Sequence, residues 1–228
     1  MPANVGVVVS KTKEMGTLAS ALQATKSIFT FRILVGMVIL AAACVSLDRI
    51  IQLPAIVSNH HYRAGVDNFT HGLVGLLSWA VVIEAVPPHS CRQLAEILFC
   101  GLLSSGLDGD HFLAAKSIYL QDALVLPFRP SLHCTTLIIF ISLFLLLAVH
   151  VTAPQRLHSL PYMFLTATVS HHIRDASRRG LWLWPLGSTA PLPYWTYIAL
   201  VCFLPVLVQF MHPLPEKPST VFSQSSTV

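Results

Sequence analysis

Six stretches of mostly apolar residues run along this chain, and each comes close to the length that crosses a bilayer. A spanning helix needs about 20 such residues. The stretches are residues 27–53, 69–86, 94–107, 132–151, 157–176 and 194–211. Pro87-Pro88 closes the second, Pro154 follows the fourth, and Pro205 is a kink point in the sixth. Only 11% of the residues are charged, against about 25% in a soluble domain. The pattern predicts an all-α integral membrane protein, a bundle of about six transmembrane helices.

The bundle would form one membrane-embedded domain, residues 27–212. A polar N-terminal tail, residues 1–26, precedes it, and a flexible tail rich in Pro, Ser and Thr, residues 213–228, follows. The apolar run at residues 5–9 is too short for a signal-peptide core, so the first span is expected to act as the targeting signal. The net charge of +4 comes without a lysine-arginine block, which argues against a nucleic-acid partner. Cys44, Cys91, Cys100, Cys134 and Cys202 are scattered and form no Cys-x-x-Cys pair. Neither a disulfide framework nor a thiolate zinc site is indicated. The chain ends Ser226-Thr227-Val228, a terminus that a PDZ-type partner can take up as an added strand.

Six antiparallel spans put both termini on one side of the membrane. The polar residues then sort by side. Asp48 ends the first span and His71 opens the second. Asp108, Asp110 and His111 end the third, and His133 opens the fourth. His171 and Asp175 lie in the last turns of the fifth. All of these helix ends meet on the side opposite the termini. The remaining aspartates, Asp67 and Asp122, join them, while Glu14, Glu84, Glu96 and Glu216 fall on the termini side. Lysines and arginines divide evenly, so the positive-inside rule sets no orientation. Cytosolic termini are the expectation, because the arginines opposite can be held by a site. Asn68-Phe69-Thr70 is a glycosylation sequon beside the second span. Trp182, Trp184, Tyr194, Trp195 and Tyr197 are expected to form an interfacial aromatic belt.

Metal binding is the sharpest reading of the gathered polar residues. Asp108-Gly109-Asp110-His111 offers two carboxylates and an imidazole within four residues, and Gly109 lets the backbone bend round an ion. His171 and Asp175 are four apart and share a helix face. His71 and His133 complete a set of nitrogen and oxygen ligands suited to zinc, or to manganese or iron. Arg129, Arg174, Arg178 and Arg179 lie beside the cluster and suit a phosphorylated lipid or headgroup. Plainer accounts stand beside each. Single histidines bond between helices, Asp48 pairs with Arg49 or another arginine, Asp175 orients His171, and the arginines hold bilayer headgroups.

Two resemblances follow from these strings. Residues 44–200 resemble the transmembrane protein 267 family. The likeness rests on Ser46-Leu47-Asp48-Arg49-Ile50-Ile51-Gln52, on the run from Gly106 through Asp108-Gly109-Asp110-His111 to Ser117, on Pro130-Ser131-Leu132-His133-Cys134-Thr135-Thr136, and on Ser170-His171-His172-Ile173-Arg174-Asp175 with Gly180-Leu181-Trp182. That name implies a membrane protein and supplies no mechanism. More distantly, the chain resembles bacterial membrane-bound metal-dependent hydrolases. It matches their ordered motifs with His71, with Asp108, Asp110 and His111, with Arg129 and His133, and with Ser170, His171 and Asp175. It departs where Leu107 replaces a Pro, where Phe128 replaces the first His of the third motif, and where Pro130 replaces a Gly.

That second resemblance implies metal ligands at His71, Asp108, Asp110, His111, His133 and His171. Asp175 would be a base or would orient His171, and Arg129 would steady developing negative charge. Two alternatives stay open at this point. One is a non-catalytic membrane protein with a degenerate site, which Phe128 favours. The other is an ion or metal transporter, disfavoured because the polar residues sit at helix ends instead of at the bilayer midplane.

Overall fold

The computed structural model describes residues 31–154 and 157–212, and within them it is mostly helical. The N-terminal tail, the C-terminal tail and the PDZ-type terminus expected from the sequence lie outside these residues. The order is α1 (Phe31–Ile50), α2 (Pro54–Val57), α3 (His60–Val82), α4 (Cys91–Gly106), α5 (Gly109–Ala115) and α6 (Leu120–Leu124). A 3₁₀ turn (Ser131–His133), α7 (Thr135–Thr152), α8 (Ser159–Arg179), a two-strand hairpin β1 (Trp182–Leu183) and β2 (Gly187–Ser188), and α9 (Tyr194–Met211) complete it.

Local chemistry sets the helix ends. The Asn59 side chain caps α3 by accepting from the amides of His61 and Tyr62. Ser90 caps α4 through the Gln93 amide, and the Gln93 side chain accepts from the His89 amide in return. Pro54 opens α2, where its missing N–H costs nothing. At the end of α8, Gly180 has φ +70°. A Cβ there would collide with the Thr189 carbonyl, so glycine is required where the chain turns into the hairpin.

The helices sort into an inner and an outer set. α3, α4 and α8 pack on one another; α1 and α9 lie against α3, and α7 and α9 lie against α8. The inner helices carry the polar residues and bury them, including His71, Ser78, Ser104, Thr166, Ser170, His171 and Arg174. The outer helices leave large apolar side chains uncovered, such as Val38 on α1, Phe140 and Phe144 on α7, and Phe203 and Phe210 on α9. A protein in water would hide such a surface, whereas a bilayer solvates it. Of the expected spans, α1, α7 and α9 are long and apolar enough to cross a membrane by themselves. α3 and α8 have the length but carry too many charged and imidazole groups, and α4 is only 16 residues long.

The closest packing joins α3 to α4 through small residues. A Cβ on Gly72 would strike Ser105 Oγ, and one on Gly75 would lie 2.6 Å from Ser104 Cβ. The two backbones approach, and the hydroxyls of Ser104 and Ser105 donate to the carbonyls of His71 and Asn68 at 2.9 and 3.0 Å. Gly75→Leu is therefore expected to destabilise the protein by about 1–3 kcal/mol through overpacking. Gly65→Ala, in the same helix with open space around it, should leave stability unchanged or raise it by up to about 1 kcal/mol. Thermal unfolding in detergent measures both.

Candidate metal centre

α8, the 3₁₀ turn and the segment after α4 bring two imidazole nitrogens within reach of two carboxylate oxygens. His171 Nε2 and His133 Nε2 lie 3.3 Å apart. Asp108 Oδ1 is 3.6 Å from the His133 nitrogen and 3.5 Å from that of His171. Asp175 Oδ2 is 3.5 and 3.8 Å from the same two atoms. Ligands about 2.0–2.1 Å from a tetrahedral zinc stand roughly 3.3–3.4 Å from each other. The Asp108, His133 and His171 atoms stand at metal-ligand spacing, and Asp175 adjoins both rings.

The tautomers follow from what each ring's other nitrogen does. His171 Nδ1 lies 2.9 Å from the Ser104 carbonyl, an acceptor only, so Nδ1 carries the proton. That carbonyl is free because α4 ends at Gly106, leaving its last carbonyls without helical partners. His133 Nδ1 donates to Asp110 Oδ2 at 3.2 Å, and the same oxygen accepts from the Leu132 amide at 3.0 Å. A carboxylate thus fixes both the ring and the backbone that bears it. In the neutral rings both Nε2 atoms present lone pairs to each other and to two carboxylate oxygens. Acceptors facing one another at this range require a cation or a proton between them. Without a metal, a proton answers that need. Burial opposes charge on His133, yet Asp108 and Asp110 outweigh it and push its pKa up to about 9.

Two flanking groups extend the centre. The His71 ring stacks on His171 with centroids 3.8 Å apart. Its Nε2 accepts from Arg174 Nη1 at 3.1 Å and stands 3.4 Å from Asp175 Oδ1, and its buried Nδ1 has no hydrogen-bond partner among the described residues. On the far side, Asp110 Oδ1 and His111 Nδ1 are 3.1 Å apart without hydrogen-bond geometry, and both atoms are buried with no hydrogen-bond partner among the described residues. His71, His171 and Asp175 make one set of metal-ligating atoms, Asp108, His133 and His171 a second, and Asp110, His111 and His133 a third. His171 and His133 link the three.

An ionic network holds the cluster from behind. Arg174, only 3% exposed, bonds to Asp67 and to Asp48 Oδ1, the latter at 3.2 Å. Tyr197 on α9 donates to Asp48 Oδ2 at 3.0 Å. Arg178 bridges Asp67 Oδ2 and Asp175 Oδ1, both at 2.7 Å, which leaves Asp175 Oδ2 to face the centre. His172 Nε2 donates to the Leu132 carbonyl at 2.8 Å and its Nδ1 accepts from Thr135 Oγ1 at 3.0 Å, bracing the 3₁₀ turn against α8.

The structure thus gathers His71, Asp108, Asp110, His111, His133, His171 and Asp175. Arg129 stands apart, with both terminal nitrogens donating to the Gly180 carbonyl at 3.2 Å. Phe128 is exposed and does not line the cavity beside the cluster. Other sequence-based expectations are corrected. Gly109 does not bend the chain round an ion: it opens α5 without a positive φ, and the chain already turns helically at Asp108. Asn68 lies within α3, and its amide donates to the Ser105 carbonyl and Asp108 Oδ2, so the sequon is occupied by structure. Tyr197 is buried against Asp48 and is no belt residue, whereas Trp184 and Trp195 are exposed. Arg174 and Arg178 are engaged by carboxylates. Asp122 is separate and bonds to Ser117.

Sequence reasoning passed over Asp67, His172 and the Ser104 carbonyl. Asp67 had a signal, since it sits four residues before His71 on one helix face. The other two depend on how α4 ends and on which loop α8 meets.

Lipid-facing outer helices around a polar inner set define a multi-helix integral membrane protein with a buried His/Asp cluster. The chain belongs to the transmembrane protein 267 family. It is 41% identical to Transmembrane protein 267 of Mus musculus over 192 residues, which covers 84% of this chain and 88% of that protein. The Danio rerio protein of the same name is 40% identical over 169 residues, 74% of this chain and 75% of its own length. No family model and no solved structure matches the chain. The likeness to metal-dependent hydrolases has no counterpart among the relatives found.

The ion pair assigned here has a direct test. Arg174→Met strands buried carboxylates and should cost about 3–5 kcal/mol. Arg49→Met, at the exposed position beside Asp48, should change stability by no more than about 0.5 kcal/mol. Thermal unfolding of the two variants in detergent distinguishes them.

Proposed function

We propose that this chain is a membrane-embedded metal-dependent hydrolase. Its six long helices would cross or enter the bilayer, with the centre at the face opposite both termini. Asp108, His133, His171 and Asp175 hold the ion. The supporting observation is the meeting of two imidazole Nε2 atoms with two carboxylate oxygens, Asp108, His133 and His171 standing at metal-ligand spacing. Zinc fits two nitrogens and two oxygens; manganese or iron fits a larger set that draws in His71, Asp110 or His111. Bound there, such an ion supplies a water of pKa about 7 and polarises a substrate oxygen.

The chain's own residues divide the remaining work. Asp110 orients His133, the Ser104 carbonyl orients His171, and Arg178 orients Asp175. His111 lines the open cavity and is placed to carry a proton to or from a bound substrate. Arg129 positions the segment before His133 by anchoring it to Gly180. The hydrolytic reading is supported by the order of the motifs through His71, Asp108, His133 and His171, and by that cavity. A second reading is an ion that only ties helix ends together, and Phe128 in place of a motif His favours it.

Elemental analysis of the detergent-purified protein tests the centre. On the order of one divalent ion per chain is expected. His171→Ala or Asp108→Ala should abolish binding. Asp110→Asn should weaken it by about 10- to 100-fold, since Asp110 acts through His133. A wild-type protein without bound metal overturns the proposal. Metal without turnover of an ester and phosphoester panel leaves the structural ion.

A further inference from the structure

A cavity of about 1090 Å³ opens beside the cluster, and its walls differ in kind. Asp108, Asp175 and His111 reach it from the centre. Arg63, Arg178 and Arg179 stand along it, and Phe112, Ile118, Leu120 and Leu124 form an apolar side. Arg178 is engaged by Asp67 and Asp175. The guanidiniums of Arg63 and Arg179 are exposed and have no hydrogen bond or ion pair among the described residues.

The charges indicate an anion. Three lining carboxylates, Asp67, Asp108 and Asp175, balance the three arginines. A divalent ion in the centre leaves two positive charges uncompensated. A phosphate monoester carries about −1.5 to −2 at neutral pH and presents three acceptor oxygens. Arginine pairs with such a group through two parallel N–H bonds.

The apolar side indicates a lipid. It is built by α5, α6 and the link between them, and neighbouring side chains on that segment are uncovered: Leu113 is 78% exposed, Tyr119 70% and Val125 81%. A segment of that kind beside a membrane domain settles into the interface. The cavity thus lies between the centre and the bilayer, and it exceeds the roughly 300–1,000 Å³ of ordinary small-molecule pockets.

We propose that this cavity receives a phosphate monoester of a membrane lipid, with the phosphate held by Arg63 and Arg179 beside the metal centre and the acyl chains along Phe112, Ile118, Leu120 and Leu124. The proposal rests on the hydrolase reading above and names its substrate class. In the reaction a water oxygen forms a bond to phosphorus and the ester P–O bond breaks. The water proton passes to the departing lipid oxygen, so the products are inorganic phosphate and a lipid alcohol.

The test uses the full-length protein immobilised in detergent, with its metal content measured on the same preparation. Mixed micelles carry dioleoyl phosphatidic acid or dioleoylglycerol, and glycerol 3-phosphate is the soluble probe. Phosphatidic acid should be retained at least about 10-fold better than either comparison, and Arg63→Ala/Arg179→Ala should reduce that retention by about 10-fold at unchanged metal content. Released inorganic phosphate is a further readout. Equal retention of dioleoylglycerol overturns the phosphate half of the proposal, and equal retention of glycerol 3-phosphate overturns the lipid half. Retention indifferent to the arginine substitutions overturns the assigned site. A metal-free preparation that still shows arginine-dependent retention supports the cavity and counts against the hydrolase reading.

Discussion

The buried guanidinium of Arg174 is the interaction on which the rest depends. A charge inside a helix bundle is tolerated only when neighbouring groups compensate it. Asp48 at the end of α1 and Asp67 on α3 do so, and Tyr197 brings α9 to Asp48. Four helices that share little sequence pattern are thereby brought to one level. Through Arg178 the same network reaches Asp175 and turns one of its oxygens toward the centre. The support and the site are one continuous set of charges.

The division into inner and outer helices has the same origin. α3, α4 and α8 carry serines, threonines, histidines and charges that lipid would leave unsatisfied. α3 and α4 pack on each other through Gly72, Gly75 and Gly101, where backbones come close enough for serine hydroxyls to reach carbonyls across the interface. α1, α7 and α9 need no such partners and present their leucines, valines and phenylalanines outward. The His/Asp cluster gathers Asp108 just past the end of α4, His133 on the 3₁₀ turn, His171 and Asp175 in the second half of α8, and His71, which was expected to open its helix, midway along α3. There, free carbonyls, a 3₁₀ turn and a short helix supply the hydrogen bonds that a continuous helix would consume.

Much of the architecture was legible in the chain. The six apolar stretches locate α1, α3, α4, α7, α8 and α9, since apolar run length and proline breaks are local properties. The gathering of Asp108, His133 and His171 was legible too, because alternating helix direction places those ends together. The details that went astray share one cause. Gly109 was read as a bend, Tyr197 as an interfacial ring and Asn68 as part of a sequon beside the second span. Each assignment used residue type alone: partners more than 35 positions away engage Tyr197 and Asn68, and Gly109 opens a separate helix, α5.

The sequence by itself determined that this is a membrane chain, where its long helices fall, and which side chains are available for a metal. Those facts follow from composition and period, which neighbouring residues set. Only the tertiary structure decided the roles. It made Asp110 the group that orients His133 and left Asp108 and Asp175 facing the open centre. It gave Arg174 to Asp48 and Asp67 and left Arg63 and Arg179 at the cavity with no ion-pair partner among the described residues. Roles of this kind depend on which lone pair or proton each group has already committed to a distant neighbour, and no local pattern carries that information.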